Sequence, residues 1–157
     1  MLERVGHGLF VRPRTGRFGR VPADEVALLR AFLDGSPFVI TGSERWNALG
    51  LGTTAVFPAI LVYNLKRSGE FVLGGRRYVL RRVRFPLRPT PEWFAVDLLE
   101  HADMAGVART DIEPSLAAAI AGDRLDIERL RESAAEYGTR ATRALVERAV
   151  DSAPRAA

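Results

Sequence analysis

Six arginines fall within residues 76–88: Arg76, Arg77, Arg81, Arg82, Arg84 and Arg88. A second set, Arg12, Arg14, Arg17 and Arg20, lies near the N-terminus among Pro13, Gly16 and Gly19. A guanidinium keeps its charge at any working pH. It presents its donors as a rigid fork that matches phosphate or carboxylate oxygens two at a time. The ten residues are therefore the candidates for contact with a nucleic acid or with an acidic partner surface. Phosphates neutralised this way would make binding steeply salt-dependent. Two blander readings fit the same residues. One is an edge strand kept soluble by charge, the other a basic strand paired with acids elsewhere in the chain. Lys66 is the only lysine. That bias fits selection for bidentate recognition, and it equally fits a genome rich in G and C.

Little else in the chain could do chemistry. There is no cysteine, which excludes disulfides, zinc-thiolate sites and thiol nucleophiles. The two histidines are His7 and His101. On a helix, Glu100, His101 and Asp103 point in different directions and build no metal site. The glycine-threonine stretch Gly50-Leu51-Gly52-Thr53-Thr54 lacks the lysine and spacing of a phosphate loop, and reads as a tight turn. No hydrolase, metalloprotease or nucleotidyltransferase signature is present. These observations predict a protein that is not an enzyme and uses no cofactor or metal.

The elements that would position the arginines can be read from periodicity. Leu9-Phe10-Val11 is a short β-run, followed by a basic loop from Arg12 to Arg17 in which Pro13 stops the strand. A helix begins within Pro22–Glu25, with Val26, Leu29, Phe32 and Leu33 as its core stripe. Phe38-Val39-Ile40 is a buried strand, and Glu44 to Leu49 a short helix with Trp46 in the core. Strands follow over 60–65, 70–73 and 76–85, with Gly74-Gly75 as a two-residue hairpin turn. Alternation puts Val79, Val83 and Phe85 with Arg81, and Tyr78 and Leu80 with Arg82 and Arg84. Both faces of that last strand are mixed, which predicts partial cover. Thr90-Pro91-Glu92 starts a helix running to about Met104. Further helices span 111–121, the stretch from an Asp123 cap to Tyr137, and Thr139 to about Val150.

The predicted fold is α+β: a small mixed or antiparallel sheet with a β-hairpin near 56–85, then a C-terminal layer of about four helices. Its parts are a basic arm over 1–21, an α/β core over 22–89, and a helical part over 90–153. Residues 1–90 carry 15 Lys/Arg and 6 Asp/Glu, whereas residues 91–157 carry 8 and 13. A basic front and an acidic back predict two surfaces with different partners, or halves that neutralise each other. No apolar run reaches the ~18 residues that a transmembrane helix needs. The N-terminus has no secretory pattern, so a soluble, cytoplasmic protein is expected without a membrane partner.

One resemblance sharpens this reading. Gly8-Leu9-Phe10-Val11-Arg12-Pro13 is followed by Arg17-Phe18-Gly19 with Pro22, by Thr41-Gly42, and by Leu49-Gly50-Leu51-Gly52-Thr53-Thr54. Gly74-Gly75-Arg76 and the basic strand come next, then Thr90-Pro91-Glu92-Trp93 and Ala135-Glu136-Tyr137-Gly138. In this order and spacing, over roughly residues 6 to 150, the chain resembles the AbiEi-like antitoxins of bacterial type IV toxin–antitoxin (abortive infection) systems. The resemblance implies a non-catalytic antitoxin that opposes a nucleotidyltransferase-like toxin encoded nearby. It also implies, as an alternative, a DNA-binding transcriptional regulator that represses its own operon through a winged helix-turn-helix. DNA or RNA would then be a further partner. In that family about fifty residues precede the Gly8–Pro13 wing and hold the DNA-reading helix. This chain starts at the wing, so the expectation is a truncated winged-helix module. Ala55 also stands where related sequences often have glutamine.

Overall fold

The structure is a computed structural model. It describes residues 24–54 and 56–154, together with the backbone of four short strands nearer the N-terminus. Those strands are β1 (Glu3–Gly6), β2 (Leu9–Val11), β3 (Arg14–Gly16) and β4 (Gly19–Val21). They form two antiparallel pairs, β1 with β2 and β3 with β4. Part of the expected basic loop is thus strand: Arg14–Gly16 pairs with Gly19–Val21 and Arg14 stands opposite Val21. Arg12, Pro13, Arg17 and Phe18 lie outside the described residues.

The chain divides into two compact units. The first comprises Met1–Ile40 and Pro58–Leu87, and the second Thr41–Phe57 and Arg88–Ala157. Charge sorts with them. The first unit carries 13 Lys/Arg against 5 Asp/Glu, a formal +8; the second carries 10 against 14, a formal −4.

The sheet unit is built on α1 (Glu25–Phe32), β5 (Phe38–Thr41), β6 (Ile60–Asn64), β7 (Gly69–Leu73) and β8 (Arg76–Arg82). The strand order is β5-β6-β8-β7. β8 runs parallel to β6, from Ile60 opposite Tyr78 to Asn64 opposite Arg82, and antiparallel to β7. The four-stranded sheet is therefore mixed. Gly74 and Gly75 make the β7–β8 turn with φ of 59° and 79°, the paired left-handed conformation that a two-residue hairpin needs. The α1 helix starts at Glu25, one residue after its cap: the Asp24 carboxylate accepts the Val26 N–H at 3.0 Å. Leu28, Leu29, Phe32 and Leu33 pack on Val62, Leu73, Tyr78 and Leu80. Val26, expected in the core stripe, is 41% exposed and Leu28 is buried instead. At 3.6 residues per turn the buried face centres between Leu29 and Phe32, and Val26 falls about 90° from it.

The last strand also differs from expectation. It stops at Arg82 rather than Phe85, and its Tyr78 and Leu80 are 1% exposed. The middle of that face is covered, because α1 lies on it. The arginines sharing its parity, Arg76 and Arg82, stand at its two ends.

The helical unit comprises α2 (Ser43–Ala48), α3 (Pro91–Glu100), α4 (Arg109–Ala121), α5 (Ile127–Tyr137) and α6 (Arg140–Ser152). Together with the mixed sheet, this gives the α+β architecture with a C-terminal layer of four helices. Thr90, Asp126 and Thr139 cap α3, α5 and α6 with their side-chain oxygens. The cap of α5 is Asp126 and not Asp123. Asp123 has φ of 58° just after α4 ends, whereas an N-cap residue needs extended backbone, as Asp126 has. α3 is shorter than expected and closes at His101.

α3 is the central helix of this unit. Trp93, Ala95, Val96, Leu98 and Leu99 are buried, and so are two of its acids, Glu92 and Asp97. Each acid meets donors from another element. Glu92 Oε1 accepts the Asp126 N–H at 2.9 Å, at the start of α5. Asp97 Oδ2 accepts from the Thr41 hydroxyl at 2.6 Å and from the Trp46 indole at 3.0 Å. Glu100 accepts from the hydroxyls of Thr139 and Thr142 at the start of α6. Among the described residues, no helix is long and apolar enough to cross a membrane.

Removing the Asp97 carboxylate would leave two buried donors unsatisfied. Asp97→Ala is expected to destabilise the protein by about 2–4 kcal/mol, read as a lower denaturation midpoint with an unchanged slope.

Candidate binding surface on the sheet unit

β8 gathers Arg76, Arg77, Arg81 and Arg82 along one strand, and Arg84 follows two residues later. Arg88 belongs to the other unit. Arg14 and Arg20 lie in the β3–β4 pair, Arg20 opposite Thr15. Arg12 and Arg17 lie outside the described residues, as does His7. The four-stranded sheet thus brings together four of the ten predicted arginines, with Arg84 just beyond its last strand. The period of two then separates them: Arg77 and Arg81 share one face with Val79, while Arg76 and Arg82 flank the covered one.

Acids of the same unit already engage part of this charge. Arg76 Nη1 lies 3.1 Å from Glu25 Oε1, and the Tyr78 hydroxyl donates to that same oxygen at 3.0 Å. Glu25 is the first residue of α1, where the helix dipole also favours a carboxylate. The trio ties the start of β8 to the start of α1. Burial pushes the Tyr78 phenol up to about 12, and the charge of Glu25 and its hydrogen bond add to the rise, with Arg76 acting against it. Arg77 meets Glu70 across the hairpin at 3.3 Å, with both side chains more than half exposed. Screening leaves such a pair under about 1 kcal/mol. Arg82 and Arg88 are exposed.

The opposite end of β8 is shaped by a residue that composition does not flag. Asn64, fully buried, ends β6. Its amide donates to the Arg67 carbonyl at 3.0 Å and, more weakly, to that of Arg81 at 3.4 Å. Its oxygen accepts the N–H groups of Lys66 and Arg67 at 2.8 Å each. One side chain thereby fixes the β6–β7 turn and ties it to β8. The Ser68 hydroxyl accepts the Arg82 N–H at 2.8 Å, and Val83 N–H donates to the Asn64 carbonyl at 3.2 Å. Two further cations of the turn are held at the C-terminal end of α1: Lys66 pairs with Asp34, just past the helix, and the Arg67 guanidinium sits 4.7 Å above the Phe32 ring. The available sequence signal was an asparagine closing a β-run before Ser68-Gly69, the kind of residue that bonds its own turn.

His101 takes no part in this surface. It caps α3, stacks on Trp46 at 5.7 Å and lies with its ring 2.8 Å from the Asp97 carbonyl. Among the described residues, no three His, Asp or Glu side chains converge in a way that could hold a metal ion. The arrangement supports recognition of anions by guanidinium groups on a rigid strand. No protein-family model, no curated protein and no solved structure matches the chain.

The Tyr78 environment can be measured. The neutral phenol is favoured in the folded chain, so its ionisation is delayed from about 10 to about 12. The unfolded chain loses that proton first. Stability is therefore expected to fall as pH rises from about 10 to about 12, and Tyr78→Phe should abolish this part of the decline. Glu25→Gln should bring the phenolate absorbance transition of Tyr78 to lower pH.

Proposed function

We propose that this protein is a non-catalytic antitoxin-like binding protein of a type IV toxin–antitoxin system, opposing a nucleotidyltransferase-like toxin encoded nearby. The observation that carries the reading is the concentration of positive charge in one unit, with exposed arginines on a strand whose backbone is fixed on both sides. The ordered resemblance from Gly8 to Gly138 supports it. Binding would occlude the toxin or compete for the anionic substrate that such an enzyme handles. Guanidinium groups suit either target, since carboxylate and phosphate offer the same fork.

A second reading has an observation of its own. The paired strands β3 and β4 carry Arg14 and Arg20 in a short antiparallel ribbon, the shape by which a wing touches a DNA backbone. On that reading the protein is a DNA-binding regulator of its own operon. Its affinity for promoter DNA would fall steeply with salt, by a logarithmic slope of about 0.9 per phosphate neutralised.

Co-expression with the neighbouring toxin separates the two. The antitoxin reading expects growth rescue and a co-purifying complex or a blocked toxin reaction, with Arg77→Glu and Arg82→Glu together weakening rescue and leaving the thermal midpoint within a few degrees. Absence of both rescue and complex would discard it. The regulator reading expects a mobility shift of promoter DNA at low salt that these two substitutions leave largely intact and that Arg14→Glu with Arg20→Glu removes.

A further inference from the structure

The carboxyl ends of the parallel strands β6 and β8 come together where Asn64 stands opposite Arg82. Such an end is where parallel strands under helical cover commonly hold a ligand. Here it is strongly cationic. Arg82 closes β8 with the parity of Tyr78 and Leu80, on the side of α1. Lys66 and Arg67, in the turn after β6, are drawn to the same side: Lys66 pairs with Asp34 and Arg67 lies over the Phe32 ring. The Asn64 side chain fixes the backbone of both. The Ser68 hydroxyl, by accepting the Arg82 N–H, brings the turn against the end of β8.

A guanidinium stacked on a ring by its face keeps its N–H edge for hydrogen bonds. Among the described residues, neither that edge of Arg67 nor the Arg82 guanidinium meets a carboxylate, and the Ser68 hydroxyl proton has no acceptor. Lys66 has a partner, but an exposed one. The Asp34 side chain is 71% exposed, and Asp34 holds φ of 52°, the left-handed region that glycine favours just past a helix. Three cations against this one carboxylate leave a formal +2. We infer that Lys66, Arg67, Ser68 and Arg82 form a binding site for a terminal phosphate group, as borne by a nucleotide or by the 5′ end of an oligonucleotide. Such a group carries about two negative charges at neutral pH and three acceptor oxygens, which matches the charge of the site and its three kinds of donor. A backbone phosphodiester carries a single charge and so matches it less well. Asp34 is the internal competitor for Lys66. The site lies on the α1 side of the sheet, away from Arg77, and does not depend on the antitoxin reading.

The test follows the backbone amide resonances of the whole protein as inorganic phosphate, adenosine 5′-monophosphate, adenosine or dimethyl phosphate is added. Saturable shifts are expected at residues 64–68 and 82–83 with the first two. Dimethyl phosphate should bind about tenfold more weakly and adenosine not at all. Arg82→Gln, at an exposed position, should weaken phosphate binding about tenfold while leaving the thermal midpoint in place. Asp34→Asn, which releases Lys66, should tighten it about threefold. Arg77→Gln, on the other face, should leave it unchanged. Two oligonucleotides, with and without a 5′-phosphate, separate the sources. Preference for the phosphorylated strand over the mononucleotide assigns the group to a nucleic-acid end, the reverse assigns it to a nucleotide, and either result keeps the site. Equal binding of dimethyl phosphate, or of the strand without a 5′-phosphate, means contact with diesters and overturns the proposal. A loss with Arg77→Gln as large as with Arg82→Gln means diffuse positive charge and overturns it too, as does the absence of any saturable shift with phosphate.

Discussion

Strand β8 can show an arginine to solvent only where burial under α1 does not claim the position. Tyr78 and Leu80 lie in register with Ile60 and Val62 on one side, and Tyr78 with Phe71 on the other, so all of these fall on the face beneath the helix. Moving the register by one residue would carry Arg77, Val79 and Arg81 into the core and expose two large side chains. Burying even one unpaired guanidinium costs several kcal/mol. The register is therefore fixed by exclusion of charge as much as by attraction between apolar groups. The basic surface is what remains of the strand once α1 has taken its share.

That remainder is not uniform. Arg76 is held by Glu25, which also receives the Tyr78 hydroxyl, so this guanidinium belongs to the joint between helix and strand. Among the described residues the partner of Arg77 is the exposed Glu70, a pair worth under about 1 kcal/mol. Arg82 extends from the end of the strand, where its backbone is tied to Ser68. The turn beside it is held by Asn64, whose amide makes hydrogen bonds on both its nitrogen and its oxygen. Rigid backbone beneath charged side chains lowers the entropy lost when a partner orders them. The position of β8 thus depends on three residues of neighbouring segments, Glu25, Asn64 and Ser68.

Much of the architecture could be read from local patterns, because local physics sets it. Gly74-Gly75 specified a hairpin, since two successive left-handed residues are readily accepted only there. Thr90-Pro91-Glu92 opened α3, because cap, fixed φ and dipole agree. What escaped was set by contacts distant in sequence. Whether β8 is half-covered depends on where α1 lies, and α1 is about fifty residues away in sequence, far beyond the few residues that set local propensity. Asp123 and Asp126 are equal candidates as caps until the end of α4 takes the first into the left-handed region. The placement of the arginine group on a β-strand was legible. Its division into held, exposed and end positions was not, because the deciding acids Glu25 and Glu70 come from other elements.

The acidic character of the second half also changes meaning in three dimensions. Glu92, Asp97 and Glu100 count toward its negative charge, yet each is turned inward on α3 and accepts hydrogen bonds from another element. Arg131 and Glu147 join α5 to α6 by two hydrogen bonds at 2.8 and 3.0 Å, and this fork holds the Glu147 carboxyl below its ordinary range. A single hydrogen bond from Arg148 Nε to Glu113 Oε1 at 2.8 Å joins α6 to α4. Much of that charge is therefore spent as connectors between helices rather than offered as a surface field. The sheet unit differs. It has 13 cations but only 5 acids to oppose them, so most of its positive charge has no counterpart within the unit. The two units therefore differ in field as well as in fold: a formal +8 stays with the sheet unit, while the acids of α3, α4 and α6 act largely as joints inside the helical one.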